Sequence, residues 1–542
     1  MQRNKTLNLT TRQLTSTLLF ILGMTVAVQS QNITPSHCNA ARLTKLKLAN
    51  ISIQSVTEIP AGNFAPTNAP PLPNLPAFCR IAATASSGAD SRIHFEVWMP
   101  TSTWNGKLVA TGNGGYSNAL NYGDMAQALR QGYAVIGGDT GHQTATPDDL
   151  LWGAGQPEKI KDWGTRSIHT MTVAAKLIIA QAYGKPARRA YYCGCSTGGH
   201  QAYAEMQRYP NDFDGVIAGA PGNNRVRLNI GFLWQFLANH PPGDNANPIL
   251  PATKLPLITK AIVTACDAND GVNDGVIDDP RTCQFDPAVL LCKGEDNANC
   301  LTAPQLAALQ KMYAGAKNPR TGETIYPGWP LSSEALTVAA NGQPLSGWNR
   351  YWGTSEPTRA NFWRYWVFND PTWNWWTFDF DRDLTRADKT VGRLIDQTSA
   401  NLKAFQSRGG KAIVYQGWQD PVVNALDTIT YYDRVKANQG SPAAIDKFFR
   451  LFLVPGMGHC AGGTGATNFG NQGGLAPIVD AEHDLLSALD AWVEKGIAPQ
   501  QIIASKVVNG ATIRTRPLCP YPQKAKYKGS GSTDDDANFV CR

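Results

Sequence analysis

Gly194-Cys195-Ser196-Thr197-Gly198 sets a serine between two glycines, directly after an apolar run and at the head of a helix-like segment. In that context G-x-S-x-G has a mechanical meaning. The chain leaves a strand, turns sharply enough to lift the serine out of the backbone, and enters a helix; small neighbours let strand and helix approach. A serine hydroxyl is a weak nucleophile at neutral pH and needs a base to take its proton. Without such a base the same pentapeptide is an ordinary Gly/Ser turn.

Where a serine of this kind lies on an α/β scaffold, an acid and then a histidine follow it in the chain. Beyond the helix that Ser196 opens, the histidines are His240, His459 and His483. His459 ends the loop Pro455-Gly456-Met457-Gly458-His459 directly after a strand-like run, whereas His240 falls outside the βα rhythm and His483 in a helix-like segment. His459 is therefore the expected base. Asp420, in the loop Trp418-Gln419-Asp420-Pro421, is the expected acid that orients the imidazole, with Asp427 as the fallback. An oxyanion formed at Ser196 needs two backbone N–H donors. Thr197 supplies one, and the glycine cluster Gly112-Asn113-Gly114-Gly115 the other, at Asn113 or Gly114.

Cysteines flank both reactive positions: Cys195 precedes the serine and Cys460 follows the histidine. A disulfide holds two Cα atoms roughly 5.5 Å apart, so joining these two would pin Ser196 beside His459. The alternative leaves Cys195 a buried thiol, with Cys193 as the other candidate partner. The chain has 11 cysteines, and spacing suggests Cys38 with Cys79, Cys266 with Cys283, Cys292 with Cys300, and Cys519 with Cys541. Such usage belongs to an oxidising compartment. The first 30 residues agree: a basic start, the apolar run Leu18 to Leu22 and small residues before Ser30 read as a cleaved leader too short to span a bilayer. The mature protein is expected to be secreted or periplasmic and not membrane-bound. A net charge of +7 with no Lys/Arg run argues against nucleic acid.

Between Cys266 and Asp278 acidic side chains alternate with glycines. Hard cations take oxygen ligands, so Asp267, Asp270 and Asp274 through carboxylates and Val272 and Val276 through carbonyls form a candidate calcium site of structural kind. The terminal glutamate of an EF-hand is missing, and a solvated acidic turn has the same composition.

Positioning these residues requires an α/β scaffold. Residues 93–99 alternate with period two; 107–111, 133–137, 189–194, 216–220, 411–417 and 449–454 are short apolar runs; 170–183, 198–208, 425–437 and 481–495 read as helices. That rhythm predicts an α/β fold with a mainly parallel sheet covered on both faces. It is absent from 224–400, which holds the acidic loop and the aromatic-rich stretch from Trp348 to Trp376. The expected organisation is a leader (1–30), a first catalytic part (31–223), a lid insertion (224–400) and a second catalytic part (401–542).

With these motifs in view, the chain resembles the tannase and feruloyl esterase family, which includes bacterial mono(2-hydroxyethyl) terephthalate hydrolase. The marks are Gly194 to Gly199, the loop Asp267 to Asp278, Asp420, and Val454 to Cys460. The resemblance implies an α/β-hydrolase core, a disulfide on Cys195 and Cys460, a Ser196-Asp420-His459 triad and a lid calcium ion without an organic cofactor. It also implies a small aromatic ester as substrate, feruloyl or galloyl before a terephthalate monoester, because Pro357 stands where the terephthalate hydrolase has its carboxylate-binding arginine and Arg359 lies two residues on. Trp352, Trp363 and Val423 are the expected acyl-pocket residues. A catalytically silent binding module is the reading from a different class.

Overall fold

The runs read as strands are joined by two earlier ones into a single sheet. The structure is a computed structural model that describes residues 37–542 apart from 68, 89, 336–337, 341–342, 346, 353–354, 440–441, 473 and 475. The expected leader lies outside the described residues. The strands are β1 (Ile51–Ile59), β2 (Phe78–Ala85), β3 (Ile93–Pro100), β4 (Lys107–Thr111), β5 (Ala134–Gly138), β6 (Arg189–Cys195), β7 (Gly215–Gly219), β8 (Lys411–Gly417) and β9 (Phe449–Val454). They lie in the order β1-β2-β3-β5-β4-β6-β7-β8-β9. The pairings of β1 to β2, β2 to β3 and β3 to β5 are antiparallel; every pairing from β5 to β9 is parallel.

Burial explains this division. Every residue of β4, β5 and β7 is buried, as strands covered on both faces must be. The edge strand β1 alternates between half-buried and exposed along much of its length and leaves one face to water. The covering helices are α1 (Tyr122–Arg130), α2 (Ser167–Tyr183), α3 (Thr197–Arg208), α5 (Ala425–Asn438) and α6 (Leu485–Lys495), while α4 (Arg225–Ala238) packs within the insertion. On one face α1 and α6 bury Met125, Leu129, Leu489 and Trp492 with Val109 and Val135. On the other, α2, α3 and α5 bury Met171, Ile178, Tyr203 and Ile429 with Leu108 and Ile136.

Two boundaries differ from the pattern reading. The helix expected from 170 begins at Ser167, after a π-turn over Asp162–Arg166. The helix expected from 481 begins at Leu485, because the Asp484 side chain accepts from Ser487 N–H and caps it there. After β7 the chain leaves the sheet and returns at β8. The intervening stretch contains α4, two further helices of twelve residues (Leu255–Cys266 and Ala303–Ala314), three shorter ones (Arg382–Ala387, Arg393–Ile395 and Lys403–Ser407) and many short 3₁₀ and π turns. Its aromatic residues Trp348, Trp352, Trp363 and Trp366 belong to the same apolar cluster as α1 and α6.

Candidate active site

Cys195 closes β6, Thr197 opens α3, and Ser196 makes the turn between them with φ 62° and ψ −115°. That backbone is strained for a residue with a side chain. Ser196 N–H donates to Gly219 O and His200 N–H to Ser196 O, both at 3.0 Å. The neighbouring glycines are steric requirements. A Cβ on Gly194 would lie 2.8 Å from the Gly198 backbone, and one on Gly199 2.2 Å from Gly219 O.

The loop after β9 brings His459 to this turn, with its Nε2 2.8 Å from Ser196 Oγ. Its Nδ1 lies 2.8 Å from Asp420 Oδ2. Asp420 is fully buried, and its carboxylate is otherwise satisfied by N–H donors: Val422 at 2.7 Å, Val423 at 3.0 Å and Gln416 Nε2 at 3.0 Å. Gln416 is itself held by Thr428 Oγ1, which donates to its Oε1 at 3.0 Å. With acceptors filled in this way, the carboxylate points one oxygen at the imidazole and fixes the tautomer that leaves Nε2 free to accept the serine proton. The Cys195–Cys460 disulfide closes the arrangement, with Cα atoms 5.9 Å apart across a sequence separation of 265.

A model of the tannase and feruloyl esterase family matches residues 79–542. The chain belongs to that family. An uncharacterized esterase of Xanthomonas campestris pv. campestris is 39% identical, covering 96% of this chain and 95% of the relative. A probable feruloyl esterase B-2 of Aspergillus terreus is 33% identical over 95% of this chain and 97% of its own length. Among solved structures, feruloyl esterase B from Aspergillus oryzae superposes with a TM-score of 0.85 at 31% identity, covering 93% of this chain and 99% of that one. Tannin acyl hydrolase from Aspergillus niger, at 18% identity and a TM-score of 0.74, shares the fold. The protein is thus a carboxylic ester hydrolase on an α/β-hydrolase-like scaffold.

The other candidate partners of Ser196 lie elsewhere in this family member. Asp427 accepts from Asn224 Nδ2 at 3.0 Å, and burial pushes its carboxyl up to about 6. His240 Nδ1 donates to Phe236 O at 3.0 Å. His483 pairs with Asp480 at 2.7 Å. His200, within α3, donates to Ile395 O at 2.6 Å, and burial lowers its pKa to about 3.

The two alternatives for the second oxyanion donor separate. Asn113 N–H is already given to Gln201 Oε1 at 3.1 Å, which leaves Gly114 of the two expected alternatives. Gly114 is exposed and its N–H donates to no group among the described residues. Thr197 N–H is likewise unengaged, as expected at the first position of a helix.

The expected pocket residues are dispersed. Val423 binds the acid through its N–H. Trp352 and Trp363 are each 1% exposed, and the ring contacts of Trp363 are with Phe362, Trp373 and Phe378, so it serves as packing. The sequence analysis did not single out Tyr116 and Trp163, which stack at 4.8 Å and are both met by Trp366 of the aromatic-rich stretch. It also missed Arg225, which donates to Thr197 Oγ1 at 3.0 Å. Tyr116 directly follows the glycine cluster, which is the one signal that marks it.

All five expected disulfides form, and Cys193 remains a free thiol. In the acidic loop, Asp267 accepts from the N–H groups of Gly275 and Val276 at 3.0 and 3.1 Å. Asp274 pairs with Arg516 at 2.6 Å and Arg514 at 3.1 Å. Burial raises the Asp270 carboxyl, and the charges of Asp274 and Asp267 add to the shift. Val272 and Val276 are buried, and their carbonyl oxygens accept no hydrogen bond among the described residues. The donors are all oxygen, the kind a hard divalent cation takes, with Asp274 already paired to two arginines.

Proposed function

We propose that this protein is an exported serine carboxylesterase that hydrolyses esters of aromatic acids, feruloyl and other hydroxycinnamoyl esters or galloyl esters. The observation that carries this reading is His459, bonded at one nitrogen to Ser196 and at the other to Asp420, each at 2.8 Å. Ser196 attacks the ester carbonyl as His459 takes its proton. Thr197 and Gly114 N–H groups stabilise the oxyanion. His459 then protonates the departing alcohol, and the acid half stays on Ser196 as an acyl-enzyme. Water, deprotonated by the same histidine, releases the aromatic acid. Asp420 remains ionised throughout and favours the imidazolium. The aromatic acyl group is supported by the named relatives.

The acidic loop holds one structural calcium ion through Asp267, Asp270 and Asp274 and the carbonyls of Val272 and Val276. The ion would supply charge that the crowded carboxylates lack, and it takes no part in ester cleavage. Export to an oxidising compartment, outside the cell or in a periplasm, is supported by the five disulfides. Among the described residues no helix is long and apolar enough to cross a membrane.

Initial rates of the mature protein on methyl ferulate, methyl gallate and mono(2-hydroxyethyl) terephthalate, beside Ser196→Ala, test the reading. Turnover of the first or second that vanishes in the variant supports it. Preference for the third would move the acyl assignment. A folded wild-type protein inert to all three and to a serine-directed phosphonate would replace the enzyme with a binding module.

A further inference from the structure

Arg225, the first residue of α4, is 1% exposed. Among the described residues it makes no ion pair with a carboxylate. Among the described residues its side chain forms one hydrogen bond, from Nη2 to Thr197 Oγ1 at 3.0 Å, and its Nε is buried without a partner. The guanidinium otherwise rests against the rings of Trp163 and Tyr116, 5.2 and 5.8 Å from their centroids. Burial is the main cause of a pKa lowered to about 10, which still leaves the group charged at neutral pH. A buried cation with no carboxylate in ion-pair contact is costly, and aromatic faces offset only part of that cost.

The single hydrogen bond shows what the charge does. Arginine can only donate, so the Thr197 hydroxyl must accept from it and send its own proton onward. That proton goes to Gly115 O at 2.7 Å. The relay therefore has one direction, Arg225 to Thr197 to Gly115, and each bond polarises the next. It joins the residue after the nucleophile to the glycine turn that carries Gly114. A second tie comes from the same helix, where Asn229 Nδ2 donates to Tyr116 Oη at 3.1 Å. Helix α4 thus grips the turn at two adjacent residues.

We infer that Arg225 is a positioning residue of the oxyanion hole: through the Thr197 hydroxyl it locks the glycine turn against the nucleophile turn and holds an uncompensated positive charge beside the developing negative one. A fixed charge in a site that excludes water acts more strongly than in solution. The inference rests on the serine esterase reading.

The test measures kcat and KM, on whichever methyl ester is turned over fastest, for Arg225→Met, Thr197→Val, Thr197→Ser and the Arg225→Met/Thr197→Val pair. Ser196→Ala and the inhibition constant of an aryl trifluoromethyl ketone, whose serine adduct mimics the tetrahedral intermediate, complete the set. Arg225→Met and Thr197→Val should each lower kcat by about 30- to 100-fold, below the loss for a direct donor, with KM within about threefold. The pair should be no worse than about twice the poorer single variant, because both cut one relay. Thr197→Ser, which keeps the hydroxyl, should recover most of what Thr197→Val loses, and ketone affinity should fall in parallel with kcat/KM. An unchanged kcat in Arg225→Met, a loss confined to KM or to thermal stability, or an unmoved ketone constant overturns the inference. If Arg225→Met does not fold, Thr197→Val decides by the same criteria. Turnover surviving in Ser196→Ala would fell the esterase reading and this inference with it; Ser196→Ala inert beside an active Arg225→Met fells this inference alone.

Discussion

Asp420 and Asp267 are both buried carboxylates held by backbone N–H groups, yet they are compensated in different ways. Asp420 accepts from Val422, Val423 and Gln416 and offers its remaining capacity to His459. Asp267 accepts from Gly275 and Val276 and shares its loop with Asp270 and Asp274, whose carboxylates repel it. One arrangement aims a single charge along a line; in the other, Asp267 is met by backbone N–H groups and Asp274 by Arg514 and Arg516. A lone oriented carboxylate suits proton transfer, whereas the acidic loop is the place where the calcium ion is proposed. Each site is stapled by its own disulfide, with a sequence separation of 265 at the first and 17 at the second. The first unites distant parts of the chain; the second only tightens a loop.

The largest effects should come from the aimed site. Ser196→Ala and His459→Ala should each lower kcat/KM by about 10⁴-fold or more, and Asp420→Asn by about 10⁴-fold through the wrong imidazole tautomer. Equal activity in Asp420→Asn would erase the distinction drawn between the two carboxylates. Next, replacing Cys195 and Cys460 together by alanine should cut kcat by about 10- to 100-fold, the scale expected when reacting groups drift by about 1 Å. The same change at Cys292 and Cys300 should leave kcat within about twofold.

At the crowded site the prediction concerns stability. Chelation, or Asp267→Ala, should lower the thermal midpoint by several degrees while the folded remainder keeps kcat within about threefold. Added calcium should restore the chelated wild type but not the variant. A bound ion at about 100 times its Kd contributes about 2.7 kcal/mol, so a midpoint indifferent to chelator would remove the ion from the account.

The smallest effect sharpens the choice of acid. Asp427→Asn should leave kcat within about threefold. The folded Asp427 carboxyl is raised to about 6 by burial, so the native state binds more protons than the unfolded chain between its ordinary value and pH 6. Its ionisation above that window therefore opposes folding. The variant should melt higher than wild type at pH 8, and the gain should fade as pH falls toward 4.

The sequence made legible what depends on local pattern. Ser196, His459 and Asp420 each follow an apolar strand, and the rhythm of β3 to β9 could be read because buried parallel strands are short apolar runs between turn residues. β1 and β2 escaped that reading. They form an antiparallel edge without the helical crossovers that announce the rest. The choice between Asn113 and Gly114 was also hidden, since it turns on Gln201, which occupies the Asn113 N–H from a sequence distance of 88 residues. Arg225 and Tyr116 escaped for the same reason: neither belongs to a motif, and their relation to Thr197 exists only after α4 packs. In the insertion, short 3₁₀ and π turns follow no hydrophobic period, so its aromatic residues gave composition without placement.

The most direct test of the central claim is to treat the protein with diethyl p-nitrophenyl phosphate and map the adduct by peptide mass spectrometry. One phosphoryl group is expected, on the peptide containing Ser196, with esterase activity lost in proportion and no adduct in Ser196→Ala. A label on another residue, or full activity after Ser196 is occupied, would contradict it.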